Sequence, residues 1–421
     1  MSEIRDHVSI HIDNILMNLP PSSPSNPTIF RVHNNVRYGN ENLYDPKTIS
    51  VGPFHHGKNH LERMQHHKLN YLRGLMRRRQ DATVERYIVV LRSLEQKARA
   101  CYSGPVELNS DQFVEMLLLD GIFIIELLRK FSFEYLREED DVIFRYKHIH
   151  IQLCLDFMLV ENQIPFFVLD ELFNMTATED HFDEIPYLVR RFVSDIFPWP
   201  EPMEILGSTD NTDHLLGLVY KNLSFSFAEV TTNRPIQTKE GKPIDSITEL
   251  QESGVKFEKC SGHISFVRGV LRIPCFEVSD STESILRNLI TYEHLSVHNR
   301  PKYMTDYVYF LHCLVNSSRD VEILRRRGII TNFLGDDDMV YGMLNRLGRD
   351  MFLSSEFCYE AVFKGVNEHC VHRRNRWMAI LRGEYFNTPW SILKFVAALL
   401  VLGFTLIQTV FGALSYVKPP K

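Results

Sequence analysis

The chain has 421 residues, 44% of them hydrophobic and 24% charged, which excludes disorder as its main state and allows two to three domains or one large one. Lysine and arginine number 47 against 53 acidic residues, a formal net charge of −6, so no global positive field draws the chain to nucleic acid or anionic lipid. Its seven cysteines, an odd number without a C-x-x-C pair, fit a reduced, cytosolic setting.

Taken in chain order, residues 8–19 pattern as a short amphipathic helix whose interleaved charges leave no apolar core of secretory-signal length. PPSSPSNP at 20–27 reads as an extended linker, so 1–27 is a leader ahead of a helical body over 28–390. Gly52-Pro53 and Gly57 predict a rigid turn around Phe54. Helical periodicity follows over 59–80, 83–100, 110–131 and 148–173, with Asn59 and Ser110 as candidate caps. In LVENQIPFFVL, Pro165 turns the preceding residue away from helix, which puts Glu161, Asn162 and Gln163 at a helix end where they can satisfy exposed backbone groups. Residues 207–245 read as an irregular, weakly ordered stretch around one short helix.

The pattern changes at 255–279, where VKFEK, ISFVRG and VLRIPCFEV group β-formers around Gly262 and Gly269 and predict a small antiparallel meander. Asp280 with Glu283 resembles a capping box for a helix to Tyr292, and helices continue over 320–327, 336–347 and 356–385. The fold class is therefore mainly α, a large helical body with a small β meander and one C-terminal transmembrane helix.

That last helix is the strongest signal. Residues 395–417 carry no charge, and at about 1.5 Å per residue they reach roughly 34 Å, enough for a bilayer core. Trp390 and Tyr416 are placed as interfacial aromatics, and Lys394 and Lys418 can snorkel to water at either end. Arg373, Arg374, Arg376, Arg382 and Lys394 lie on the N-terminal side. Positive charge there predicts a cytosolic body, with only 418–421 beyond the far face. The apolar runs at 113–128 and 153–169 are interrupted by Glu115, Asp120 and Glu126 and by Asp156, Glu161 and Pro165, and suit buried soluble helices.

The densest chemical constellation is HHGKNHLERMQHH, with His55, His56, His60, His66 and His67 as candidate metal ligands. On a helix from Asn59, His60 and His67 share a face but stand about 10 Å apart, and the H-E-x-x-H spacing is absent. Surface and packing roles are the expectation. No G-x-S-x-G elbow, P-loop or dinucleotide fingerprint occurs, and no catalytic residue or cofactor is assigned. GDDD at 335–338 reads as a helix N-terminus and Arg77–79 and Arg325–327 as solvated helix faces, while 372–376 lies close enough to the anchor to meet headgroups. Sequons at Asn174, Asn222 and Asn316 would be unmodified in a cytosolic body.

With these motifs in place, the sequence resembles the land-plant family catalogued as domain of unknown function 247. The resemblance rests on SVGPFHHG (50–57), LERMQHHKLNYL (61–72), DGIFIIELL (120–128), LVENQIPFFVL (159–169), ELQESGVKF (249–257), LRIPCFEVSDSTESILRNLITYE (271–293), GIITNFLG (328–335) and YFNTPW, in that order. His66 stands where that family often has an acidic residue. The resemblance implies a helical plant protein with one C-terminal anchor and no established catalytic activity, some grass members being implicated in self-incompatibility. The expected function is that of a tail-anchored, non-catalytic interaction or recognition protein, possible partners being the bilayer through 395–417 and an unidentified protein. The alternative is a membrane-attached enzyme with a His-rich metal site.

Overall fold

The computed structural model describes residues 6–18, 27–81, 83–177, 182–199, 209–228, 243–296, 301–349, 351, 357–371 and 389–417. Helices dominate, in the order α1 (His7–Asn18), α2 (Asn34–Arg37), α3 (Arg63–Arg79), α4 (Glu85–Ala100), α5 (Ser110–Ser132), α6 (Val142–Arg145), α7 (Lys147–Phe157), α8 (Phe166–Met175), α9 (Ile185–Val193) and α10 (Leu215–Ala228). They continue with α11 (Ile247–Glu252), strands β1 (Lys256–Cys260), β2 (Ser265–Val267), β3 (Val270–Pro274) and β4 (Phe276–Val278), then α12 (Thr282–Leu295), α13 (Tyr303–Leu314) and α14 (Ser318–Arg326). Strand β5 (Ile330–Asn332), α15 (Asp337–Gly348), α16 (Glu360–Val371) and α17 (Pro389–Val417) complete the described chain. Two compact units result, one from residues 1–197, 202–225 and 281–300, the other from 198–201, 226–280 and 301–421.

In the first unit α5 is central and buried on almost every face, and α3, α4, α8 and α9 pack against it. Its cap is Asn109 rather than Ser110: the Asn109 side chain accepts from the Gln112 amide and the Gln112 side chain accepts from the Asn109 amide, a reciprocal capping box. Asn59 opens only a single 3₁₀ turn, Asn59–Leu61. The charges α5 buries are paired. Asp120 meets Lys68, Glu126 meets Arg78, Lys130 meets Asp141, and Arg129 donates two bonds of 2.9 Å to Asp183. The expected break before Pro165 separates α7 from α8, with Pro165 itself as the residue preceding α8. Helix α12 returns to this unit, where Asn288 accepts from the Val160 amide and donates to the Leu43 carbonyl. No Asp280 capping box opens it: Ser281 is the cap, its side chain making no capping hydrogen bond, and Glu283 pairs with Arg287 one turn on.

In the second unit the β element lies where the sequence placed it, but not wholly as an antiparallel meander. Strand β3 is central, antiparallel to β2 and parallel to β1, while β4 leaves to pair in parallel with β5. Burial explains the order. Strand β3 carries Leu271 and Ile273, both fully buried, and Phe257 of β1 sits in register with Leu271, whereas β2 buries nothing fully and is an edge. Arg268 and Gly269, both at positive φ, close the two-residue β2–β3 turn. Helices α9 and α13, which the sequence reading left unassigned, are among the well-buried elements of their respective units. Within α17 none of the apolar stretch Leu393–Phe411 is buried, and it is long and apolar enough to cross a membrane. The expected weak order at 229–242 and the helix beyond 371 fall on residues outside those described.

Candidate functional site

The best-organised polar assembly joins the turn 50–57 to the α7–α8 connection. Gly52 has φ +75° and ψ −177°, a region open essentially to glycine alone. A Cβ there would stand 2.2 Å from the Gln163 carbonyl oxygen. The backbone around it is met by buried side chains. The Val51 amide donates to Asn162 Oδ1 at 2.7 Å and the Gly52 amide to Asp120 Oδ2 at 2.8 Å, while Lys68 Nζ bridges Asp120 Oδ1 and the Ser50 carbonyl. Asp156 accepts from three successive amides, those of Lys47, Thr48 and Ile49. Gln163 donates to the Phe157 and Leu159 carbonyls at the end of α7 and accepts from the Leu216 amide. Asn162 and Gln163 thus satisfy backbone groups at the end of α7, as expected, whereas Glu161 serves the distant Val32 amide instead, and Glu161 and Asn162 stitch that end to segments more than a hundred residues earlier.

At its outer margin the assembly becomes a charge cluster. His55 is 2% exposed, with Nδ1 3.6 Å from Asp45 Oδ1 and Nε2 3.4 Å from Glu161 Oε2. Arg37 bridges the two acids at 2.7 and 3.0 Å, and Lys58 reaches Asp45 at 3.1 Å. Burial opposes ionisation of Glu161, yet His55, the Val32 amide and Arg37 together hold its pKa below the usual carboxylate value. Burial likewise opposes ionisation of Asp45, and Arg37 and Lys58 outweigh it. Both acids therefore already have cationic partners, and a metal ion would have to displace them. Beside this assembly, Val51, Ile124, Phe157, Asn162, Gln163 and Leu215 help line a cavity of about 10 Å³, room for one water.

The candidate histidines are not brought together. His55 is in the cluster; His56 and His60 are exposed, the latter with Nε2 3.2 Å from the Pro46 carbonyl oxygen. His66 is exposed and His67 half-buried, their rings edge to face at 6.3 Å. Among the described residues no group of three or more His, Cys, Asp or Glu is placed to hold a metal ion.

One Cys/His pair forms that the sequence did not single out. Cys154 Sγ lies 3.2 Å from His150 Nε2, one helical turn away on α7. Burial raises the thiol pKa and lowers that of the imidazole, and Cys154 also meets the Phe192 carbonyl oxygen at 3.2 Å while His150 stacks on Phe131. Both shifts favour the neutral pair over the thiolate–imidazolium that nucleophilic catalysis needs. The acidic run at 336–338 acts as a helix opening: Asp336 accepts from the Asp338 amide, and Asp337 binds Arg325 and Asn332. Arg78 and Arg79 are likewise engaged, with Glu126 and the Ala177 carbonyl. Of the membrane-margin residues, Lys394 is exposed, Trp390 and Tyr416 lie within α17, and Lys418 and 372–376 are outside the described residues. Asn174 and Asn316 are exposed, whereas Asn222, in the middle of α10, is 1% exposed.

The chain is similar to two proteins of Arabidopsis thaliana. It is 27% identical to UPF0481 protein At3g47200, covering 100% of this chain and 93% of the relative. It is 23% identical to Putative UPF0481 protein At3g02645, covering 90% and 89% respectively. No solved structure matches it. The family DUF247, described as "Plant protein of unknown function", matches residues 29–404, a span that takes in the whole polar assembly and the first part of the apolar stretch of α17. With that match over most of its length, the chain belongs to the plant family of unknown function DUF247.

Proposed function

We propose that this protein is a membrane-anchored, non-catalytic interaction or recognition protein of plant cells, held by α17 with its body in the cytosol and acting in signalling. The observation that carries the reading is the apolar stretch Leu393–Phe411, none of which is buried, a surface that water does not tolerate and a bilayer core accommodates. The polar clusters of the body support the non-catalytic part, because their side chains are spent on backbone groups and on one another. Orientation draws on the basic residues ahead of the anchor and on Asn222. A glycan on that buried asparagine is incompatible with the packing of α10, which favours a compartment without the glycosylation machinery.

The test is expression of the full chain in plant cells with a glycosylation acceptor added at the C-terminus, followed by alkaline carbonate extraction and protease treatment of sealed membranes. The expected result is a carbonate-resistant chain with a glycosylated tail, a protease-accessible body and bare Asn174, Asn222 and Asn316. Release by carbonate overturns the anchor, and a protected, glycosylated body overturns the orientation. Stoichiometric metal in the purified protein would favour the metalloenzyme alternative instead.

A further inference from the structure

Within the apolar stretch of α17 one side chain is out of place. Gln408 is the fourteenth of the 23 residues in the uncharged run 395–417, and its amide makes no hydrogen bond with any described residue. The neighbouring hydroxyls are satisfied within the helix, Thr405 Oγ1 donating to the Val401 carbonyl and Thr409 Oγ1 to the Thr405 carbonyl, each at 2.7 Å. A glutamine side chain is too long and too polar to be hidden that way, and hydrocarbon offers it no partner. Its position is not isolated. Ala398, Val401, Thr405, Gln408, Gly412 and Ser415 recur at alternating spacings of three and four, the repeat that holds one seam of a helix against another, and small residues there let two backbones approach.

We propose that α17 pairs with α17 of a second copy of this chain along that seam, the two Gln408 amides hydrogen-bonding to each other across it. An identical partner fits for two reasons. The amide is both donor and acceptor, so it complements itself, and a two-fold axis along the membrane normal puts both amides at the same depth. The inference rests on reading α17 as a membrane span, and its test separates the two.

The full chain, labelled near its N-terminus with a donor or an acceptor fluorophore, is reconstituted into phosphatidylcholine vesicles, washed with alkali and floated. Energy transfer is then followed as the protein-to-lipid ratio falls. Expected are flotation with the vesicles and transfer above that of randomly placed proteins. Gln408→Leu should still float but associate roughly 3- to 30-fold more weakly. Gln408→Asn, which keeps the amide, should retain pairing, Gly412→Leu should weaken it, and Gly403→Leu, off the seam, should leave it unchanged. A chain that does not float overturns the span and the pairing with it. A chain that floats without excess transfer, or whose Gln408→Leu variant pairs like the wild type, overturns the pairing alone. Gln408-dependent cross-linking in plant membranes to a different single-span protein, without self-transfer, overturns the identity of the partner.

Discussion

Gly52 and Gln163 meet backbone against backbone, so closely that a methyl group on the first would lie 2.2 Å from the carbonyl oxygen of the second. Since Gln163 O also accepts from the Tyr102 hydroxyl at 3.2 Å, neither side of the contact can withdraw without breaking a buried bond. Gly52→Ala combines that clash with a disfavoured φ and is expected to cost about 3 kcal/mol or more. Urea unfolding of the purified variant checks it; a loss below about 1 kcal/mol would mean that the turn relaxes freely.

Lys68 is wholly buried and Asp120 2% exposed, and they meet each other. Removing one leaves a bare charge in the core, so Lys68→Met and Asp120→Asn should each destabilise by about 3–5 kcal/mol. The double variant, with no charge left to strand, should lose clearly less than the sum. Simple additivity in a double-mutant cycle would show that the pair is not coupled.

Asp306 on α13 gives the second unit a distinct pH response. Burial raises its pKa to about 6, against the bond of 2.8 Å that its Oδ2 accepts from the Cys358 amide, and its Oδ1 is buried without a partner. Between the ordinary value of 3.8 and about 6 the folded state binds more protons than the unfolded chain, so this group's contribution falls as pH rises through that window and stays low above it. The full penalty is on the order of 2–3 kcal/mol. Asp306→Asn should flatten the fall and raise stability at pH 7 by about 1–2 kcal/mol, since the amide oxygen can still accept from Cys358. Unfolding midpoints of both proteins across pH 4 to 8 provide the comparison, and parallel curves would refute the assignment.

Cys154 should resist alkylation. Its thiol is fully buried and pushed towards the protonated form, whereas Cys260 and Cys370 are half-exposed. Peptide mapping after brief iodoacetamide treatment is expected to find label on Cys260 and Cys370 and none on Cys154 until denaturant is added. Rapid labelling of Cys154 would reveal an open His150–Cys154 pair.

Much of this organisation is legible from residue order. The apolar run in α17, the charge-interrupted apolar run of α5 and the break at Pro165 are local signals, each written within one helix length. Helix α13 escaped because YMTDYVYFLHCL shows no polar face; the structure buries it on nearly every side, and a short buried helix has no periodicity to read. The parallel pairing of β1 with β3 escaped because hairpin spacing describes only neighbours in sequence. The histidine-rich run was legible as composition and not as placement: His55 turns inward because Asp45 and Glu161 flank it, and Glu161 lies far along the chain. In the polar assembly, the helix-end role of Asn162 and Gln163 could be anticipated from Pro165, but not the distant amides that Glu161, Asn162 and Gln163 serve.

Those distances set an order of events during synthesis. The Val32 amide finds its acceptor on Glu161, 129 residues later. At about 5–20 residues per second the ribosome needs roughly 6–26 s to supply it. Throughout that interval residues 29–58 lack the partners that α7 and α8 will bring, and their exposed backbone and apolar side chains are open to chaperones. Closure of the first unit is thus timed by elongation, and slowing translation between residues 58 and 161 prolongs the open state rather than improving the fold.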